Sequence, residues 1–396
     1  MENAFKLRPL EDVAIIERKA ILPSQIKKSD SYLGLEDIEG GTGRIVAYRS
    51  AAEAELKSAK FKFTKHHILY GKLRPYLNKV VMPDRDGVCS TDILPILPKK
   101  DIMNRDYLAY FMRSARFVKL ASARSAGANL PRLSPSELSK FMVACPSLEI
   151  QTMLANLLKK NESALEKRRE AIRLLDDFLK STFLEMFGNP GENPKDLPLL
   201  TLGQIVASER HAIKRGPFGG SLKKEIFVSS GYKVYEQKHA IQNDFKIGSY
   251  YVSETKFVEM TPFRIKLDDL IISCSGTIGK IAIVPKDAEK GIINQALLKL
   301  TLNKNKVLPV YFKFLLEMPA MQRKLFGFSH GSSIKNVASV ATLKTIKYPI
   351  ASLNDQTRFI AVLNRAHNLC EKMESSETEL QNLFNALTQK AFKGEL

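Results

Sequence analysis

Apolar residues recur at every seventh position in one long stretch of the chain: Leu158, Leu165, Ile172, Leu179 and Met186, with Leu154 and Leu175 each four residues ahead of a member of the series. Seven residues make almost two whole helical turns, so the repeat draws a stripe along one side of a helix. It predicts a coiled-coil seam rather than a general globular face. The helix starts after Pro146-Ser147 and stops at Phe187, because Gly188-Asn189-Pro190-Gly191 and Pro194 cannot continue it. A second stripe closes the chain, with Ala366, Met373, Leu380 and Leu387 at the same interval and Leu363, Cys370 and Phe384 alongside. Asn161, Arg168 and Glu377 interrupt the stripes. Polar residues there fix register, touch a partner, or sit at exposed edges.

The two stretches also match residue by residue. Leu148, Gln151-Thr152, Glu166-Lys167 and Phe187 align with Leu353, Gln356-Thr357, Glu371-Lys372 and Phe392 at one constant offset. The pattern predicts an α+β chain of two similar α/β modules, each followed by a long helix. The expected boundaries are a first module at 1–147, a helix at 148–187, a linker at 188–198, a second module at 199–350 and a helix at 351–396.

Inside the first module, Leu10 to Arg18 fits a short helix, and Tyr32 to Ile38 and Ile45 to Tyr48 fit strands around Gly40-Gly41-Thr42-Gly43. A strand-like block from Ile68 runs to Val81, interrupted or at an edge because of Pro75. Val88 to Asp92 and Ile93 to Leu97 continue the β pattern. Asp106 to Ser122 predicts one helix, with Leu108, Phe111, Met112, Ala115 and Val118 on the apolar face and Arg113, Arg116 and Lys119 opposite. Pro135 to Lys140 fits a short helix. The second module repeats this order: Leu270-Ile271-Ile272, a small-residue turn at Ser273 to Gly279, Lys280 to Pro285, Gly291-Ile292-Ile293, and a helix from Pro309 to Phe326.

Composition adds a partner. Among 396 residues the hydrophobic share of 44% supports folded domains, and the net charge of +19 points to a polyanion, of which nucleic acid is the commonest. No apolar run reaches the roughly 18 residues of a membrane span, and the N-terminal stretch lacks the apolar core of a secretory signal. Cys89, Cys145, Cys274 and Cys370 are scattered, which suggests neither zinc site nor disulfide framework and fits a reduced, cytoplasmic chain.

Catalytic motifs are incomplete throughout. The run from Gly216 to Lys223 and the run from Gly276 to Lys280 lack the Gly-Lys-Ser/Thr spacing of a nucleotide loop. Two readings fit these loops equally: backbone N–H groups approaching a DNA phosphate, or tight turns between strands. His66-His67 has no third ligand at a metal spacing, and Cys274-Ser275 has no nucleophile elbow around it. Glu55-Leu56-Lys57 lacks the preceding acid of a nuclease site, and Asn189-Pro190-Gly191 lacks the second Pro and the aromatic of an amino-methyltransferase. The chain therefore reads as a non-catalytic binding protein with no metal or cofactor of its own.

Its cations are better placed. Lys72, Arg74, Tyr76 and Lys79 interleave positive charge with an aromatic, and Arg124, Asn129 and Arg132 surround Gly127. In the second module Lys214, Arg215, Lys223 and Lys224 flank the glycine run, Lys280, Arg323, Lys324, His330 and Lys335 recur at matching places, and Ser221, Ser275, Thr277, Ser332 and Ser333 are further DNA-binding candidates. Any single cation also fits a solvated surface role; recurrence in both modules is what favours DNA.

In this order the chain resembles the DNA-specificity subunits of type I restriction–modification systems. The resemblance rests on Leu73-Arg74-Pro75-Tyr76-Leu77-Asn78-Lys79 with Ser90-Thr91-Asp92, on Gly219-Gly220-Ser221-Leu222, on Ser275-Gly276-Thr277-Ile278-Gly279 with Ile293-Asn294-Gln295-Ala296, and on the helix ends Phe183 to Gly188 and Lys390 to Leu396. It implies two target-recognition domains, each reading one half of a split, asymmetric site in double-stranded DNA, and two helices paired antiparallel as a ruler. It also implies partners: two methylation subunits that bind S-adenosylmethionine, and restriction subunits that use ATP and Mg2+. The alternative is a free-standing sequence-specific DNA-binding protein. The turns at Lys72 to Asn78 and Ser273 to Gly279 differ strongly, so base contacts do not transfer between modules.

Overall fold

The computed structural model describes residues 5–217, 220–326, 340–393 and 395. The chain divides into two compact units, residues 1–170 with 373–396 and residues 171–372. Each is described by itself.

In the first unit, β1 (Leu7–Pro9) leads through α1 (Leu10–Val13) into β2 (Ala14–Ile16), β3 (Ala20–Ile21), β4 (Ser31–Leu33) and β5 (Arg49–Ser50). β6 (Lys60–Phe63), β7 (Ile68–Gly71), β8 (Val80–Val81), β9 (Gly87–Cys89) and β10 (Ile93–Pro98) follow. Then come α2 (Arg105–Arg113), α3 (Ala115–Ala123), α4 (Pro135–Ser139) and β11 (Met142–Ala144), before the long helix α5 (Leu148–Phe187). The strands form an antiparallel sheet in the order β2-β10-β7-β8, a mixed sheet in the order β3-β6-β9-β4-β5, and the pair β1-β11. Every residue of β7 is buried, because apolar clusters cover the sheet on both faces.

The second unit repeats this plan with β12 (Leu199–Thr201), α6 (Leu202–Ile205), β13 (Ile213–Arg215), β14 (Tyr232–Tyr235), α7 (Gln237–Gln242), β15 (Tyr251–Val252) and α8 (Glu254–Glu259). β16 (Leu270–Ser273), β17 (Ile281–Ile283), β18 (Gly291–Ile293) and β19 (Leu297–Leu300) come next. α9 (Pro309–Glu317), α10 (Pro319–Phe326), α11 (Val340–Thr345) and β20 (Lys347–Pro349) lead into the second long helix α12 (Leu353–Lys393), whose part from Met373 onward belongs to the first unit. The sheet order β13-β19-β16-β17 matches β2-β10-β7-β8, and the register agrees: Ile93 faces Gly71 as Leu297 faces Ser273. β4 pairs parallel to β9, and β14 parallel to β18.

Several local expectations need correction. Leu10 to Arg18 is not one helix: α1 is a single turn, and Ala14–Ile16 is a strand paired with β10. The strand expected at Tyr32 to Ile38 stops at Leu33, and Ile45 makes only an isolated bridge to Ile38. Asp106 to Ser122 is two helices, broken at Ser114, whose extended backbone (ψ 145°) ends α2 and whose hydroxyl caps α3 at the Phe117 N–H. Arg113 and Arg116 therefore lie on different helices, and their shared cationic face does not exist. Met318 makes the same break between α9 and α10.

The long helices pair antiparallel as a coiled coil, with contacts in each unit. In the first unit Leu154, Ala155 and Leu158 of α5 share a core with Phe384, Leu387, Ala391 and Phe392 of α12, and Arg169 Nε lies 2.7 Å from Glu377 Oε1. In the second unit Leu179 packs on Leu363 and Ala366, and Phe183 meets Phe359 edge-on at 5.3 Å. Leu158, Leu165, Leu179 and Ala366 are buried; Ile172, Met186, Met373, Leu380 and Leu387 are half-buried. Asn161 is no exposed edge: it is buried, and its Oδ1 has no hydrogen-bond partner.

One glutamine anchors each helix start. Gln151 accepts from the Asn104 N–H at 2.8 Å and donates to the Ile102 and Pro146 carbonyls. Gln356 accepts from the Leu308 N–H at 2.8 Å and donates to the Lys306 and Ala351 carbonyls. Both are fully buried. Replacing either by Ala orphans a buried N–H and two carbonyls, which costs about 3 kcal/mol. The expected result is a lower urea midpoint for the full chain; an unchanged midpoint would show that the freed groups find other partners.

Candidate nucleic-acid interface

In the first unit the β7–β8 connection and the 124–132 loop come together. The Arg74 N–H donates to the Pro131 carbonyl at 2.7 Å, and the Leu133 N–H donates to the Lys72 carbonyl at 2.9 Å. The β9–β10 turn joins them, since the Lys72 N–H donates to the Asp92 carbonyl at 2.9 Å. This gathers Lys72, Arg74, Tyr76 and Arg132 on one end of the β2-β10-β7-β8 sheet. Pro75 opens a short 3-10 turn, Pro75–Leu77, flanked by Arg74 (φ 51°) and Asn78 (φ 49°), both left-handed. That conformation costs a non-glycine residue about 1–2 kcal/mol, so the neighbours must hold it.

The cations there are not equivalent. Asp92 Oδ1 lies 3.7 Å from Lys72 Nζ and 3.3 Å from Arg132 Nε, so one carboxylate serves both. Lys79 turns inward and donates to the Leu35 carbonyl at 2.5 Å. The Arg124 guanidinium lies over the Phe141 ring at 4.9 Å. Arg74, Tyr76 and Asn129 are exposed. His67, singled out for its neighbour His66, is buried and lies 3.2 Å from Glu17 Oε2, with Nδ1 accepting from the Thr64 N–H. Among the described residues no cluster of three His, Cys, Asp or Glu side chains could hold a metal ion.

The second unit builds the corresponding end of its sheet. Ser273 is buried, and its hydroxyl clamps the β16–β17 turn by donating to the Thr277 carbonyl at 2.7 Å and accepting from the Lys280 N–H at 2.9 Å. Thr277 and Lys280 are exposed on it, and Ser275 Oγ lies 3.4 Å from Gln237 Oε1 at the start of α7. The β18–β19 turn closes in the same way as β9–β10. The Ala296 N–H is held by the Asn294 side chain at 3.0 Å, as the Asp92 N–H is by Ser90 Oγ at 3.3 Å. The Cys274 N–H donates to the Ala296 carbonyl at 2.7 Å, the counterpart of Lys72 and Asp92. Burial pushes the Cys274 thiol up to about 11, which is wrong for a nucleophile near neutral pH.

Gly216 sits against this turn: a Cβ there would fall 1.8 Å from the Asn294 carbonyl oxygen, so only glycine fits. Lys214 is half-buried in β13 with Nζ 4.9 Å from the Phe263 ring, and Arg215 and Ser221 are half-buried. Lys223 is exposed. His330, Ser332, Ser333 and Lys335, and the Phe218-Gly219 part of the glycine run, lie outside the described residues.

Sequence reasoning did not single out Asp92 or Gln237 as site residues, although Asp92 stood in a quoted motif. A search for acids at turns that pair with cations distant in sequence would have needed the fold. The Ser90–Asn294 equivalence was accessible, because both follow a strand of the same repeat and both offer an acceptor.

No helix among the described residues is long and apolar enough to cross a membrane. The model of the type I restriction modification DNA specificity domain matches residues 3–173 and 219–382. Over 120 residues the chain is 35% identical to the type I restriction enzyme EcoDI specificity subunit of Escherichia coli, covering 30% of this chain and 26% of that protein. It is 26% identical over 207 residues to the putative type I restriction enzyme MjaX specificity subunit of Methanocaldococcus jannaschii, covering 51% of this chain and 47% of that one. The matched stretches thus span a quarter to a half of these curated relatives. Two solved chains share the fold. One comes from work on complex assembly and conformational transition of the type I R-M system (TM-score 0.63, 18% identity, 99% of this chain and 98% of that one). The other is the type I restriction-modification S subunit of M. genitalium (TM-score 0.56, 15% identity, 99% and 97%). The family model matches twice and together over most of this chain, which therefore belongs to the type I restriction modification DNA specificity domain family.

Proposed function

We propose that this chain reads a split, asymmetric site in double-stranded DNA, one half by the module at 1–147 and the other by the module at 199–350. The observation that carries this reading is the duplicated turn cluster. The two turns of the sheet end are joined by a matching backbone hydrogen bond in each unit, from the Lys72 N–H to the Asp92 carbonyl and from the Cys274 N–H to the Ala296 carbonyl, yet the end presents Arg74 and Tyr76 in one unit and Thr277 and Lys280 in the other. A common scaffold with different exposed side chains suits two readers of different sequence. Exposed cations supply phosphate contacts, and side chains that reach base edges in the major groove supply identity. Arg74, Tyr76, Asn129, Thr277 and Lys280 are the foremost candidates for contact. Lys72 and Arg132 would first exchange Asp92 for phosphate.

The antiparallel helix pair sets the spacing between the half-sites, and the chain itself does no chemistry. Methyl transfer and cleavage belong to partners: two methylation subunits carrying S-adenosylmethionine and restriction subunits using ATP and Mg2+, assembled in the cytoplasm. The net charge of +19 supports a polyanionic partner, and the relatives named as specificity subunits support the role.

The test is a methylome comparison of cells with and without the gene for this chain. Loss of modification at one split, asymmetric motif is the expected result. Retention of every modified motif, with the methylation partner expressed, would refute the reading.

A further inference from the structure

Arg113, expected on the polar face of a single helix over 106–122, turns inward. Its side chain is 9% exposed, and Nη2 donates at 2.6 Å both to Glu162 Oε1 of α5 and to the Thr42 carbonyl. The Tyr110 hydroxyl donates to the other Glu162 oxygen at 2.8 Å, so both carboxylate oxygens are used. The Arg113 carbonyl in turn accepts from Asn78 Nδ2 at 2.9 Å, and the Asn78 carbonyl accepts from the Gly41 N–H at 2.9 Å. One residue thus ties together the long helix, the glycine turn at 40–43 and the turn that carries Arg74 and Tyr76.

The surroundings are shaped for this link. Gly43 has φ +75°, and a Cβ on it would fall 2.4 Å from Arg113 Nη1. Gly40 leaves no more room, since its Cβ would lie 2.5 Å from the Leu77 carbonyl oxygen. The linked turn is also the strained one, with left-handed Arg74 and Asn78 at its ends. Two buried atoms at the junction, Asn78 Oδ1 and Arg113 Nε, have no hydrogen-bond partner. A strained and incompletely satisfied turn persists only where its neighbours over-determine it. The second unit has no counterpart among its described residues. Glu317 stands at the place of Arg113 and pairs along its own helix with Lys313, at 3.8 Å.

We propose that Arg113, clamped by Glu162, is a positioning residue that fixes the 74–78 turn against α5 and thereby sets base discrimination in one half of the target only. The proposal rests on the DNA-reading function above. Both bonds leave one nitrogen, Nη2, and the rigid, permanently charged guanidinium holds that nitrogen in a fixed direction, whereas an ammonium on a flexible stem is free to swing.

The experiment compares methylomes of cells expressing the full chain, its Arg113→Lys, Glu162→Gln and Gly43→Ala variants, and the methylation partner. Glu162→Gln removes the charge at constant size, and Gly43→Ala displaces the guanidinium while leaving the charges in place. Exchange of residues 199–350 identifies which half belongs to residues 1–147. In that half, the variants should modify singly mismatched sites at least tenfold more often, relative to matched sites, than the parent chain does. Discrimination in the other half should stay as in the parent. A mismatch profile identical to the parent's overturns the proposal. So does relaxation of both halves together with a lowered melting temperature, the mark of a merely structural ion pair. A parent chain that yields no split motif at all removes the DNA-reading function itself and this proposal with it.

Discussion

Replacing residues 199–350 by the corresponding module of another family member should change one half of the modified motif completely and leave the other half and the spacer as they were. Each unit has its own core and its own turn cluster, so base preference in one half has no need of the other. The exchange carries one packing condition. Phe183, Phe187 and Phe359 stay behind on the helices, and they pack against Tyr311 and Phe314 of the exchanged part, with Phe183 at 5.9 Å from Tyr311 and 5.2 Å from Phe314. A donor module without bulky side chains at those two places would leave cavities costing about 3–5 kcal/mol for each lost aromatic. With both aromatics kept, a new motif in which both halves differ from the parent's would defeat the one-module, one-half-site reading.

Lengthening both helices by one heptad should lengthen the spacer. The insertions belong between Glu170 and Ala171 and between Lys372 and Met373, where the chain passes from one compact unit to the other. Seven residues add about 10 Å of helix at 1.5 Å each. At about 3.4 Å per base pair, that is a spacer roughly three base pairs longer. A full heptad preserves the phase of the apolar stripe, so Leu165 and Leu179 keep their faces, whereas four or three residues would rotate the seam. Insertion in one helix alone leaves a heptad without a facing partner and should abolish modification. A doubly lengthened chain that modifies the original spacer would mean the helices do not set it.

These expectations depend on features that were legible to different degrees. The stripe of Leu158, Leu165 and Leu179 was readable because a helix repeats its faces at fixed sequence intervals, whatever it packs against. The duplication was readable for the same reason. Gln151 and Gln356 occupy one place in a repeated segment, and both prove to hold the same three backbone groups. The helix over 106–122 was misread because its apolar pattern continues across Ser114, while the backbone there turns extended and the hydroxyl caps a new helix. Periodicity records which side chains are apolar and does not register a break that keeps the pattern in phase.

The candidate site was legible as a set of segments and not as a set of roles. Lys72, Arg74, Tyr76 and Arg132 do stand together, yet Lys72 and Arg132 share Asp92, and Lys79 points inward. Arg113 looked like one more surface cation and is instead buried on Glu162. A cation's role depends on which carboxylate, carbonyl or ring lies within about 4 Å, and those partners are 20 to 50 residues away in the chain. By itself, then, the sequence determined the coiled-coil helices, the two-module repeat and the excess of positive charge, because each is local or additive along the chain. The tertiary structure alone decided which cations are neutralised, where the helices break and how the turns join, because those outcomes rest on contacts between segments that no periodicity relates.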